Sequence, residues 1–191
     1  QERNFFYKDV KKKFKKIDIL INNAALTGDS LGKSSKNFLS QDNNLWHKEI
    51  DVNLISVIEI IQNFRKLLMI SKKPSVINIA SIYGFTAPKF KIYKNSKFSS
   101  PIGYSVSKSG LIQLTKWFAS FLSPKIRVNC ISPGGILRKQ NKNFIKNYSN
   151  ETLLKRMATE DDVIGGIVFF ASESSQYITG HNLIIDGGWS I

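Results

Sequence analysis

A phenol and an ammonium four residues apart carry the clearest chemical content in this sequence. Tyr104 and Lys108 lie in GYSVSKSG. Residues i and i+4 share one helical face, and an ammonium beside a phenol stabilises the phenolate. A tyrosine so placed can act as a general acid or base nearer to neutral pH. The same Tyr-x-x-x-Lys spacing recurs at Tyr7/Lys11, on a basic segment, and at Tyr93/Lys97, in a lysine-rich stretch without helical period. Only Tyr104/Lys108 opens a long amphipathic segment, where Gly103, Ser105, Ser107, Ser109 and Gly110 would let a flat ligand come close. Taken alone, the pair reads equally well as a core tyrosine beside a snorkelling lysine. Ser81, closing the apolar run SVINIA, adds a hydroxyl that could hold a carbonyl oxygen. Asn53, in WHKEIDVNLISV, adds an amide on a helix flank.

These residues need elements to position them. Short β-branched runs at 17–23, 75–80, 126–131 and 182–186 read as strands. Between them, apolar residues at helical spacing (Ile50, Leu54, Val57, Ile58, Ile61, Phe64, Leu68, then Leu111, Leu114, Phe118, Leu122) predict helices over 45–70 and 102–122. Further helices are expected over about 2–15 and 160–172. The alternation describes an α/β fold with a parallel sheet, read as a single domain over 1–191. Irregular stretches at 26–44, 85–101 and 134–150 each follow the carboxyl end of a strand, the edge where open α/β sheets bind ligands. One of them contains GDSLGKS, from Gly28 to Ser34. It imitates a phosphate loop, but is one residue short of the spacing that lets backbone N–H groups wrap phosphates.

Composition narrows the classes. With 191 residues, 42% of them hydrophobic, the chain can build a core, which argues against disordered and collagen-like classes. Cys130 is the only cysteine, so no intrachain disulfide can form, and a reducing cytoplasm is the expected compartment. No apolar run approaches a membrane span and no signal-peptide pattern opens the chain. The net charge of +14 invites a nucleic-acid reading. The excess is nevertheless spread along the chain, the run Lys11 to Lys16 apart, and we expect neither a nucleic-acid nor a membrane partner.

Together the pieces resemble the classical short-chain dehydrogenase/reductase family. The order IDILINNAA, Trp46 with DVNL, INIAS, YSVSK, IRVNCISPGGI and NLIIDGGW matches that family's recurring order from one end of the sequence to the other. The resemblance implies an NAD(P)-dependent oxidoreductase that interconverts an alcohol and a ketone. In it Tyr104 is the acid/base, Lys108 lowers its pKa and holds the nicotinamide ribose, Ser81 polarises the substrate carbonyl, and Asn53 anchors a relay water. Asn23, Ala24 and Ala25 would line the cofactor cleft, and Pro133, Gly134 and Ile136 would pass the nicotinamide. No metal is expected. The resemblance also implies NAD or NADP as cofactor and, because the family's two long helices pair across a two-fold axis and here retain outward apolar residues, a homodimer or homotetramer.

Three departures qualify the match. Ala25 replaces a glycine, and Arg138 replaces a threonine that bonds the carboxamide. The family's TGxxxGxG turn is absent, so the expected architecture is an incomplete doubly wound Rossmann-type sheet without its Gly-rich dinucleotide-binding segment. The sequence opens on Gln1 inside a helical pattern, and is expected to be part of a longer protein. The long segment from Ser81 to Tyr104, with APKFKIY, resembles oxidoreductases of flagellin modification and surface-sugar synthesis. This suggests a polar substrate, a sugar or nucleotide-sugar derivative with or without a phosphate, met by Lys89, Lys91, Lys94 and Lys97, unless these are simply solvated loop lysines. Two other readings stay open: a catalytically silent remnant that binds a homologous partner, and a basic nucleic-acid binder.

Overall fold

The structure is a computed structural model, described for residues 2–27, 41–94 and 99–191. Four parallel strands, β1 (Ile19–Asn22), β2 (Ser75–Ile79), β3 (Arg127–Pro133) and β4 (Asn182–Ile185), pair in the order β1-β2-β3-β4. Helix α1 (Glu2–Lys13) precedes β1. Helices α2 (Asn43–Ile50) and α3 (Ser56–Ile70) link β1 to β2, α4 (Ile102–Leu122) links β2 to β3, and α5 (Lys142–Glu151) and α6 (Glu160–Ala171) link β3 to β4.

The central strands are apolar on both sides because both sides are covered. Val76, Ala80, Val128 and Cys130 project to one face, against Val57, Ile61 and Leu68 of α3 and Leu111, Phe118 and Leu122 of α4. Ile77, Ile79 and Ile131 project to the other, against Val163, Ile167 and Phe170 of α6. This period-2 alternation makes three layers, with the core split by the sheet. β1 is less covered: Ile19 and Ile21 remain 45% and 43% exposed.

Two readings of the sequence need correction. The helix expected over 45–70 is interrupted by a π-helical turn at Asp51–Ile55, in which the Ser56 N–H reaches back five residues to the Asp51 carbonyl. The hydrophobic period continues through it, so only backbone bonding exposes the break. The stretch 134–150, expected to be irregular, contains α5. The Asn141 side chain caps that helix by accepting from the Phe144 N–H at 2.8 Å, a start signal that the polar composition of the helix concealed. The phosphate-loop imitation at Gly28 to Ser34 and the candidate Lys97 lie outside the described residues.

A polar thread runs through the apolar layer. Asn22 and Asn78 are register partners on β1 and β2. The Asn22 amide donates to Asn78 Oδ1 at 2.8 Å, Asn78 Nδ2 donates to Thr115 Oγ1 at 2.9 Å, and the threonine hydroxyl donates to the Leu111 carbonyl at 2.8 Å. Each link is buried, so removing one leaves its neighbour unsolvated. Thr115→Val, which keeps the shape but removes the acceptor, is expected to destabilise the fold by about 1–3 kcal/mol, and Thr115→Ser by clearly less. Urea unfolding of the two variants checks this, and equal losses would mean the hydroxyl is not the reason.

Candidate active site

Three strand ends and the start of α4 converge on one cleft of about 580 Å³ at the carboxyl edge of the sheet. Its lining includes Asn23 and Ala25 after β1, Ser81 and Tyr83 after β2, Pro133, Gly134 and Ile136 at and after β3, and Tyr104 and Lys108 of α4. All but two of the residues assigned from the sequence to catalysis or cofactor binding are therefore on this surface. Ala24 is exposed beside it, and Asn53 is buried behind it.

Ser81 is placed by the turn that follows β2. Its hydroxyl accepts from the Tyr83 N–H at 3.2 Å and so caps the short 3₁₀ turn Ile82–Gly84. That turn lies directly on α4: a Cβ on Gly84 would stand 2.8 Å from the Lys108 carbonyl, so only glycine fits. Opposite, Gly135 lets the chain after β3 approach Tyr148, whose phenol oxygen accepts the Gly135 N–H at 2.5 Å.

Lys108 is 2% exposed and donates from Nζ to the Ile79 carbonyl at 2.6 Å. The ammonium also lies 5.7 Å from the centre of the Tyr104 ring. Burial pulls its pKa down to about 8. The Tyr104 phenol moves the other way. Burial raises it first, the hydrogen bond with the Ser81 side chain draws it back, and the negative field of Glu49 raises it further. The expectation that Lys108 depresses the phenol therefore does not describe this structure, in which the group that lowers it is Ser81. The reason is that the low-dielectric surroundings disfavour both charged forms, phenolate and ammonium, at once.

Asn53 lies in the π-helical turn and is 1% exposed. Its amide spans two elements of the cleft. Oδ1 accepts the Leu26 N–H at 2.7 Å, and Nδ2 donates to the Leu26 carbonyl at 2.9 Å and to Ser107 Oγ at 3.0 Å. Both amide protons are used, so in this structure the side chain braces the chain after β1 against α4 and has no donor left for a water. π-turns occur often at such sites because they re-aim one side chain out of helical register.

Two of the charged candidates on the long loop, Lys89 and Lys91, are engaged elsewhere. Lys89 donates to the Trp189 carbonyl at 3.1 Å, lies 4.5 Å over the Trp189 ring and pairs with Glu151 at 3.3 Å. Lys91 pairs with the same carboxylate at 2.9 Å, and Lys94 is exposed. Arg138 lines the cleft and pairs with Glu160 at 3.0 Å.

Sequence reasoning missed Glu49, a fully buried carboxylate against Gly103, and the aromatic wall of Tyr83, Tyr93, Phe144 and Tyr148. Glu49 was within reach, because it lies four residues from Leu45 and four from Asn53, on the face that turns inward. The wall was not, since its members come from segments far apart in sequence.

The buried lysine makes a pH signature. At neutral pH the folded chain holds a charged ammonium that the unfolded chain keeps in water. Between about pH 8 and the ordinary lysine value of 10.5 the unfolded chain binds more protons than the folded one. The parent's stability relative to Lys108→Met is therefore expected to rise across that window, by on the order of 3 kcal/mol, and to level off below it. Urea unfolding at about pH 7, 8.5 and 10 tests this. A difference that does not change with pH would show that the ammonium is solvated.

Known proteins share this arrangement of chain. A family model described as enoyl-(acyl carrier protein) reductase matches residues 2–190. The chain is 33% identical over 180 residues to the post-translational flagellin modification protein A of Campylobacter coli, covering 94% of this chain and 70% of that one. It is 31% identical over 186 residues to a 3-oxoacyl-acyl-carrier-protein reductase of Buchnera aphidicola, with coverage of 95% and 70%. Among solved structures, a short-chain dehydrogenase of Leptospira borgpetersenii with bound NAD+ superposes with a TM-score of 0.88 at 35% identity, over 100% of this chain and 71% of that one.

Proposed function

Because the chain belongs to the short-chain dehydrogenase/reductase family, we propose that it interconverts an alcohol and a ketone on a small, sugar-derived substrate, with NAD or NADP as cofactor. The observation that carries this reading is the meeting of Ser81, Tyr104 and Lys108 on one cleft at the carboxyl edge of the sheet. The likeness to the flagellin modification protein supports the sugar-derived class. The single cysteine, buried and unpaired with another, suits a cytoplasmic setting.

A nicotinamide nucleotide, when bound, supplies or takes up the hydride. The residues present suit its nicotinamide-ribose end. An ammonium has three donors, and Lys108 spends one on Ile79, which leaves donors for ribose hydroxyls. Asn23, Ala24, Ala25, Pro133, Gly134 and Ile136 are the residues we assign to that end. The pyrophosphate end needs backbone N–H groups from a Gly-rich turn at a helix N-terminus. Among the described residues the positive-φ glycines are Gly180, Gly187 and Gly188, none of which lines the cleft. We assign that cradle to chain outside these 191 residues, in keeping with relatives of which the chain covers 70%.

The protein's own part is the proton. As carbon gains or loses hydride, its oxygen must gain or lose a proton, and the Tyr104 phenol is the group we assign to that transfer. Its raised pKa keeps the resting phenol protonated and ready to donate. Ser81, bonded to that phenol, holds the same substrate oxygen, and Asn53 acts as a positioning residue through Leu26 and Ser107. A second reading, a silent partner that docks on a homologous chain, draws on the uncovered Ile19 and Ile21 of β1.

In the chain joined to a TGxxxGxG segment, Tyr104→Phe is expected to lower turnover of an NAD(P)-linked alcohol by roughly 10²–10⁴-fold. Undiminished turnover would remove the tyrosine from the proton step, and no turnover in the parent would favour the silent partner.

We also propose that copies associate through α3 and α4. Trp117 and Phe121 stack at 4.9 Å while 54% and 61% exposed, beside a groove of about 430 Å³ lined by Ile58, Arg65 and Leu114. Exposed stacked aromatics along an apolar groove are the kind of patch that marks an interaction surface. Sedimentation at micromolar concentration is expected to show a dimer or tetramer that Phe121→Glu dissociates, and a monomeric parent would overturn this.

A further inference from the structure

We propose that Tyr83, held in place by Tyr93, selects the substrate's class by bonding a second hydroxyl beyond the one that reacts, so that the cleft takes a neutral polyhydroxylated ketone or alcohol in preference to an acyl chain. This rests on the oxidoreductase reading above and deepens it.

Tyr83 stands two residues after Ser81, within the turn that the serine caps, so its position is tied to the reacting end of the cleft. It lines the same cleft as Tyr104, whose phenol acts electrostatically on its own. Its hydroxyl and that of Tyr93 are 2.8 Å apart. Its ring packs edge-on against Trp189, which is 1% exposed, with centroids 5.8 Å apart. The phenol is thus fixed at both ends, ring and oxygen, and loses little freedom when a ligand arrives. A phenol oxygen can donate once and accept twice, so one bond with Tyr93 does not exhaust Tyr83.

An acyl chain against this hydroxyl would displace water and return no hydrogen bond, which costs binding, whereas a hydroxylated substrate returns it. Charge points the same way. Lys89 and Lys91 are compensated by Glu151 and Arg138 by Glu160, so these three cations already have carboxylate partners, and Lys108 sits at the reacting end of the cleft. A neutral polyol suits this surface better than a phosphorylated one.

Direct binding tests the proposal without turnover. Saturation-transfer NMR titrations of the protein with cyclohexanol and with the cyclohexane-1,2-, 1,3- and 1,4-diols are expected to show at least one diol binding roughly three- to tenfold more tightly than the mono-alcohol. Tyr83→Phe, with urea unfolding as the check on folding, should bring that diol down to the level of cyclohexanol. Tyr93→Phe, which removes the hydroxyl that holds Tyr83 in place, should lower the preference in part. Cyclohexanol binding as well as every diol, or a preference that survives Tyr83→Phe, would overturn the proposal. A failed proton role for Tyr104 would leave these affinities unchanged, so the two readings fail separately.

Discussion

The bond from the Lys108 ammonium to the Ile79 carbonyl holds the cleft together. It joins the middle of one turn of α4 to the last residue of β2, and does so where water is excluded. A buried ammonium is costly unless it is bonded, so the bond sets the spacing of the two elements. From that spacing follow the seat of the Ile82–Gly84 turn on the Lys108 backbone, the place of Ser81 at its head, and the Tyr104 phenol one helical turn before the lysine.

Burial has opposite consequences for the two titrating groups. It moves the lysine down and the tyrosine up, driving apart two values that ordinarily lie close together and favouring the uncharged form of each. The serine then partly relieves the phenol. Two polar threads fix the frame around this pair. The amide of Asn53 holds the chain after β1 to α4, and Asn22, Asn78 and Thr115 hold β1, β2 and α4 in register. Unlike the apolar layer, which tolerates sliding, these bonds have a single geometry.

The far wall of the cleft is a different kind of surface. Tyr83, Tyr93, Phe144 and Tyr148 converge from the loop after β2 and from α5, backed by Trp189 near the end of the chain. Lys89 and Lys91 of the same loop lie against Glu151, and Lys89 also over Trp189, so these two cations fasten the loop to α5.

Much of this was legible in the residue order. The four strands, the limits of α4 and the start of α6 follow from hydrophobic period, because a strand covered on both sides and a helix covered on one have different repeats. Ser81, Tyr104 and Lys108 were recognisable as a set, since their side-chain chemistry and the strand-end and helix-start positions are local properties. Tertiary structure decided the rest. The π-turn at Asn53 is a backbone event that leaves the apolar period intact. The direction of the Tyr104 shift depends on burial and on Ser81 and Glu49, which adjoin it only in space. The use of Lys89 and Lys91 depends on a carboxylate about sixty residues on. Spacing along a chain reports which groups can share a face; desolvation and pairing across elements are sums over neighbours that only the folded chain brings together.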